Sequence, residues 1–238
     1  MKIPWNKFNP HTYIENNYSS IHDEDNLIIH RLVDHYLSLP KLKVALEIGV
    51  GPNLYPVMVM LPFVKKIECI DFSITNVIYL KKQLKKLANN WYQFWELMKS
   101  LNQKYKINLT ENLKVKVKVK KGDIYKLSKN KYDISSMFFC AESITTEHDQ
   151  FVSACKRFIK SVKPRGYLVA AFMENSQSYK VGNVEFPSYP VNTQLINKVF
   201  MTETNDIVIK QIPLAKQPLR PGYTGMILLT ATRKLDSR

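Results

Sequence analysis

Three acids and two glycines stand where chemistry on a nucleoside becomes feasible. Glu47 lies in the apolar run Val44–Ile48 of VALEIGVGPNLY, with Gly49 and Gly51 just beyond it. Asp71 closes a second apolar run, Ile67–Ile70, and Asp123 follows Gly122 after the alternating stretch KVKVKVKK. A strand that turns through glycines into a helix lets backbone approach a ligand closely, and the first N–H groups of that helix point at it. An acid about twenty residues on, closing a second strand, is placed to meet a ribose hydroxyl. The spacing predicts a nucleoside site at one edge of a sheet.

The elements that must hold these residues fit one α/β domain. The chain has 238 residues, 45% of them hydrophobic, and no Gly/Ser/Pro-rich stretch divides residues 1–238. MKIPWNKFNP lacks the apolar core of a signal peptide, and Leu54–Val64 is too short and proline-broken to span a bilayer. The expectation is a soluble, cytoplasmic protein with no membrane partner. Cys69, Cys140 and Cys155 lie in apolar runs without CxxC spacing, which fits reduced thiols and no structural metal. Net charge is +15, compatible with nucleic acid, an acidic surface or an acidic substrate. Lysine is nonetheless scattered among Asn and Ile, and nucleic acid is not the expected partner.

Helical periodicity places Leu27, Ile28, Ile29, Leu32, Val33 and Tyr36 on one face of a helix over Asp23–Leu39, its acids clustered at the start where the helix dipole favours them. After the glycine turn, Asn53 is placed to cap a short helix with Pro56 in its first turn. Ser73 or Thr75 starts the helix after the second strand. Asn89 to Asn112 reads as an insertion whose Trp91, Phe94, Trp95 and Leu97 form an aromatic face, either core packing or a lid over a small aromatic substrate. Lys114–Lys121 alternates strictly and predicts a half-exposed strand with valines inward. Strands are expected over Asp133–Cys140, Tyr167–Met173, Ile207–Ile212 and Gly225–Thr232, and helices over Phe151–Val162 and Thr193–Val199. Glu174–Pro190, polar and aromatic, leaves the carboxyl end of a central strand and is well placed to contact a substrate.

Such an alternation would hold either a dinucleotide or S-adenosylmethionine. Leu54 stands where GxGxxG has its third glycine, which weakens the dinucleotide case. EIGVGPNLY, IDFSITN, GDIYKL and FVSACKRFIKSVKPRGYLVAAFM together resemble the successive motifs of class I S-adenosylmethionine-dependent methyltransferases. FNPHTYIENNY, GPNLY and MENSQSYKVG resemble, more narrowly, the nicotinamide, phenylethanolamine and indolethylamine N-methyltransferase family. FFCAESIT and the NLYP turn are closer still to its bacterial small-molecule members.

The resemblance implies a Rossmann-like, seven-stranded sheet with helices on both faces, an N-terminal flap within residues 1–40 and a helical insertion at 89–112 after strand two. It implies S-adenosylmethionine as cofactor, S-adenosylhomocysteine as product, and no metal. Tyr13 and Tyr18 would belong to the flap, Tyr55 would reach the methionine part beside Gly49 and Gly51, Asp71 and Asn76 would serve the ribose, and Asp123 with Ile124 the adenine. Glu47, Asn53, Phe72 and Phe139 complete the expected cofactor set. For the acceptor, Glu174 and Tyr18 are the candidate catalytic groups, and Trp91, Trp95, Glu142, Ser176, Tyr179 and Ser188 the candidate contacts. Nicotinamide-methylating members carry an acid near the end of strand five where this chain aligns Phe172, so nicotinamide itself is not implied. The expected function is N-methylation of a small amine or N-heteroaromatic by a monomer, a weak homodimer being the other option. The competing readings are an RNA methyltransferase and a non-catalytic S-adenosylmethionine-binding protein.

Overall fold

Strands buried on both faces need helices above and below them, and the chain supplies both layers. The computed structural model describes residues 3–214 and 222–236. In order they form α1 (Pro10–Tyr18), α2 (Asp23–Ser38), β1 (Leu42–Ile48), α3 (Tyr55–Met60), β2 (Val64–Asp71), α4 (Ile74–Lys85), α5 (Asn90–Leu101), α6 (Leu109–Lys116), β3 (Val117–Lys121) and β4 (Tyr132–Phe138). Then come α7 (His148–Ser161), β5 (Val162–Glu174), β6 (Ser178–Val181), β7 (Val184–Pro187), α8 (Thr193–Phe200), β8 (Thr204–Pro213) and β9 (Gly225–Arg233). The main sheet has seven strands in the order β3-β2-β1-β4-β5-β9-β8. Neighbours run parallel from β3 to β5, while β9 is antiparallel to both β5 and β8. Strand order reverses between β1 and β4, and ligands of open α/β sheets bind in the crevice outside the carboxyl ends at that point.

One face of the sheet packs Tyr36, Met58, Leu80, Trp91 and Phe94 from α2 to α5; the other packs Phe151, Phe158 and Phe200 from α7 and α8. Each such burial stabilises the fold by roughly 1.5–3 kcal/mol relative to exposure. Among the described residues no helix is long and apolar enough to cross a membrane. Cys69, Cys140 and Cys155 are free and buried.

Local structure departs from the sequence reading in three places. Lys114–Lys116 is the end of α6, and β3 begins only at Val117. The Asn108 side chain caps α6 by accepting from Glu111 N at 3.1 Å, and Leu109 and Leu113, four apart, bury one face. Val115, expected inward, is 74% exposed. The stretch after Glu174 folds into the hairpin β6–β7. Strand β5 starts before the predicted Tyr167, with Arg165 in the left-handed region at φ +62° and a register shift against β4.

Candidate active site

The carboxyl ends of β1, β2 and β4 surround a cavity of about 350 Å³. At the end of β1, Gly49 and Gly51 hold φ of +65° and +54°, angles costly for other residues. A Cβ on Gly49 would fall 2.1 Å from Cys140 Sγ, so the turn needs glycine on two counts. Gly51 N donates to Asp71 Oδ2 at 2.7 Å, while Asp71 Oδ1 accepts from Ser73 N at 2.8 Å and Asn76 Nδ2 at 3.2 Å. Burial raises the Asp71 pKa, and these three donors pull against it. Asn76 Oδ1, buried in the cavity wall, has no hydrogen-bond partner. An acceptor and a multiply hydrogen-bonded carboxylate side by side match a vicinal diol. Farther along, Asp123 Oδ1 accepts from Tyr125 N at 2.9 Å, and Ile124 and Phe72 flank that end of the cavity. Phe139 forms the opposite wall with φ +53°, a strained angle of the kind that collects at ligand sites.

The roof comes from the chain's beginning. Asn9 Oδ1 caps α1, accepting from His11 N at 3.0 Å, and Pro10 occupies the first turn. Ser73 Oγ donates to Trp5 O and Thr75 Oγ1 to Phe8 O, both at 2.9 Å, which pins the arm to the start of α4. Trp5 stacks on Phe186 at 5.1 Å between ring centroids, and Tyr179 stacks on Phe186 at 5.3 Å, so hairpin β6–β7 grips the arm. Tyr18 is held from two sides: Asn53 Nδ2 donates to its hydroxyl at 3.1 Å, and Asn90 Nδ2 to its carbonyl at 3.0 Å.

Tyr13, Tyr18, Gly49, Gly51, Asn53, Asp71, Phe72, Asn76, Asp123, Ile124, Phe139 and Tyr179 thus share one cavity. Other candidates stand apart from it. Trp91 and Trp95 are buried among α2, α3 and α5, so the insertion supports Tyr18 from behind rather than covering a substrate. Tyr55 is fully buried and stacks on Phe94 at 5.9 Å. Glu47 is buried inside β1 with its pKa pushed up to about 8, because desolvation outweighs the nearby Ser136 and Phe138 donors. Glu142 accepts from Met173 N at 3.0 Å. Glu174 accepts from Gln211 Nε2 at 2.7 Å and Thr224 Oγ1 at 2.9 Å, and so ties β5 to β8 and the entry of β9. Ser176 and Ser188 are buried away from the cavity. Phe172 packs against Phe151 and Phe200 beneath α7 and α8, so its identity says nothing about the acceptor.

Sequence reading missed Trp5 and Phe8 as parts of the cavity wall. Aromatic spacing in the arm says only that it can pack on the core, because Trp5 finds Phe186 only through the fold.

A profile of the NNMT/PNMT/TEMT family matches residues 4–234. No curated protein sequence matches significantly. Among solved structures, the chain superimposes on the N-methyltransferase NodS of Bradyrhizobium japonicum WM9 bound to S-adenosyl-L-homocysteine, with TM-score 0.58 and 14% identity over 93% of this chain and 98% of that one. Phosphoethanolamine N-methyltransferase 2 of Haemonchus contortus with S-adenosyl-L-methionine gives 0.58 and 13%, covering 95% of this chain and 57% of that one. The 1,6-didemethyltoxoflavin-N1-methyltransferase of Burkholderia thailandensis gives 0.55 and 10%, covering 90% and 80%. The cavity accommodates that cofactor's chemistry, with a carboxylate and an amide oxygen for ribose hydroxyls and tyrosine faces for a sulfonium cation. The chain belongs to the NNMT/PNMT/TEMT family and is an S-adenosylmethionine-dependent methyltransferase.

Proposed function

We propose that the protein methylates a nitrogen of a small amine or N-heteroaromatic and releases S-adenosylhomocysteine. The observation that carries this is the roof: Trp5, Phe8, Tyr13, Tyr18 and Tyr179 cover the cavity, leaving a space of about 350 Å³ walled by rings. That space suits a cofactor and a compact acceptor. The three superimposed enzymes are by their names N-methyltransferases, which supports nitrogen over oxygen.

When bound, S-adenosylmethionine supplies a methyl group on a cationic sulfur. Asp71 and Asn76 would hold its ribose, Asp123 and Ile124 its adenine, and the Gly49–Gly51 turn its amino-acid part. The arm and Tyr18 would exclude water and fix the acceptor in line, and positioning in a dry site supplies most of the acceleration such transfers need. No metal is invoked. The protein acts as a monomer in this reading, which light scattering checks.

RNA methylation is the second reading, because Lys120, Lys121 and Lys126 flank the adenine end in a net +15 chain. One screen separates the two: labelled S-adenosylmethionine with amines, N-heteroaromatics, phenols and bulk RNA. Label on nitrogen acceptors is expected; label confined to RNA or phenols would overturn the proposal.

A further inference from the structure

The glycine turn and the roof meet at one side-chain amide. Asn53 is buried in the cavity wall just past Gly51. Its Oδ1 accepts from Tyr55 N at 3.1 Å, and its Nδ2 donates to the Tyr18 hydroxyl at 3.1 Å. The first of these bonds fixes the second. A backbone N–H can only donate, so the end of the amide facing Tyr55 must be its oxygen and the end facing Tyr18 its nitrogen. An amide nitrogen donates and does not accept. The Tyr18 oxygen therefore accepts, and its own hydrogen points away from Asn53.

The Tyr18 ring is held independently. Its centroid lies 6.0 Å from that of Tyr55 and 5.9 Å from that of Trp91, and the Tyr18 carbonyl accepts from Asn90 Nδ2 at 3.0 Å. Ring packing thus sets where the phenol sits, and Asn53 sets which way its hydrogen faces. Both side chains line the cavity beside the Gly49–Gly51 turn. Among the described residues no lysine, arginine or histidine lines that cavity. An anionic group entering it meets neutral donors, and the polarity of each hydroxyl there matters correspondingly more.

We propose that Asn53 is a positioning residue: it orients the Tyr18 hydroxyl so that the phenolic hydrogen meets the carboxylate of the methyl donor's amino-acid part. This rests on the placement of that part beside the glycine turn, given above. The carboxylate is the suitable recipient, because a hydrogen bond to an ionised oxygen is stronger than one between neutral groups. The same hydrogen aimed at the acceptor's nitrogen would occupy the lone pair that has to attack the methyl carbon. Asn53 joins the two halves of the site: the turn that holds the donor also sets the polarity of the residue that covers it.

Calorimetry with two ligands tests the assignment. S-adenosylhomocysteine carries the amino-acid carboxylate, whereas methylthioadenosine keeps the adenine, ribose and thioether and lacks that carboxylate. In Asn53→Asp, Tyr55 N keeps an acceptor, but the second carboxylate oxygen takes the Tyr18 hydrogen for itself. This variant is expected to bind S-adenosylhomocysteine about tenfold more weakly or worse, and methylthioadenosine within about threefold of wild type, as for one lost charge-assisted hydrogen bond. The added negative charge also repels a carboxylate, and Tyr18→Phe separates the two causes. Alone, Tyr18→Phe should weaken S-adenosylhomocysteine about tenfold and spare methylthioadenosine; on that background Asn53→Asp should cost about threefold more at most. An equal cost with and without the Tyr18 hydroxyl assigns the loss to repulsion and overturns the proposal. Tyr18→Phe that binds S-adenosylhomocysteine as wild type does overturns it too, even where Asn53→Asp fails to fold. Both ligands weakened alike would make the contact a support for the fold and nothing more, which also overturns it. Wild type that binds methylthioadenosine as tightly as S-adenosylhomocysteine fails at a different step: it removes the placement of the amino-acid part itself, and the role of Asn53 falls with it.

Discussion

Asp71 and Glu47 are both buried strand acids, yet their surroundings assign them opposite tasks. Asp71 accepts from Gly51, Ser73 and Asn76, so a negative charge there is supported by three donors. Asp71→Asn is expected to weaken S-adenosylhomocysteine binding ten- to a hundredfold by calorimetry, the range for losing charged hydrogen bonds. Glu47 has a folded pKa near 8 against about 4.3 when unfolded. Its native state therefore keeps a proton that the unfolded chain loses, and stability declines as pH rises from about 4 to 8, then levels. Urea unfolding at pH 5 and pH 8 checks this: Glu47→Gln should gain stability relative to wild type at the higher pH, and a gap unchanged with pH would contradict the assignment. Gly49→Ala sets a Cβ 2.1 Å from Cys140 Sγ at φ +65°. A loss of about 2 kcal/mol or more is expected, partly restored by adding Cys140→Gly, as read by thermal denaturation.

At the scale of elements, the arm and hairpin β6–β7 form their own small hydrophobic cluster, Phe8, Tyr179, Val181 and Phe186, outside the two main cores. Its contacts are therefore separable from overall stability. Trp5→Ala should speed S-adenosylhomocysteine release about tenfold in stopped flow, on the order of the stacking energy removed, while the melting temperature stays within about 3 °C. A large drop in melting temperature would instead make the arm part of the core. The insertion behaves differently. Its α5 buries Trp91, Phe94 and Trp95 and donates from Asn90 to the carbonyl that ends α1, so it buttresses Tyr18. An aromatic face on a helix reads the same in sequence whether it meets a ligand or a core, because periodicity reports amphipathicity and not the partner. The same limit explains α6, where alternating valines read as a strand although an Asn108 cap and the Leu109/Leu113 pair begin a helix.

For the whole molecule, net charge and cavity point in different directions. The +15 charge predicts some RNA affinity at 50 mM salt that falls at least tenfold by 200 mM, while S-adenosylhomocysteine affinity, set inside a roofed cavity, should change little. Filter binding and calorimetry across that range give the comparison, and RNA binding that persists at 200 mM would revive the nucleic-acid reading. By itself the sequence determined the succession of the seven main-sheet strands and most of the helices between them, the glycine turn and the acids that close β2 and follow β3. Those features are local: strand and helix periods, positive-φ turns and strand-end acids are written within a few residues of one another. Tertiary structure decided which groups meet. It paired Trp5 with Phe186, turned Glu174 to Gln211 and Thr224, and withdrew Trp91, Trp95 and Tyr55 into the core. Each of these outcomes depends on segments distant in the chain sharing a face. Burial then sets which carboxyls stay charged, and no single stretch of sequence contains that information.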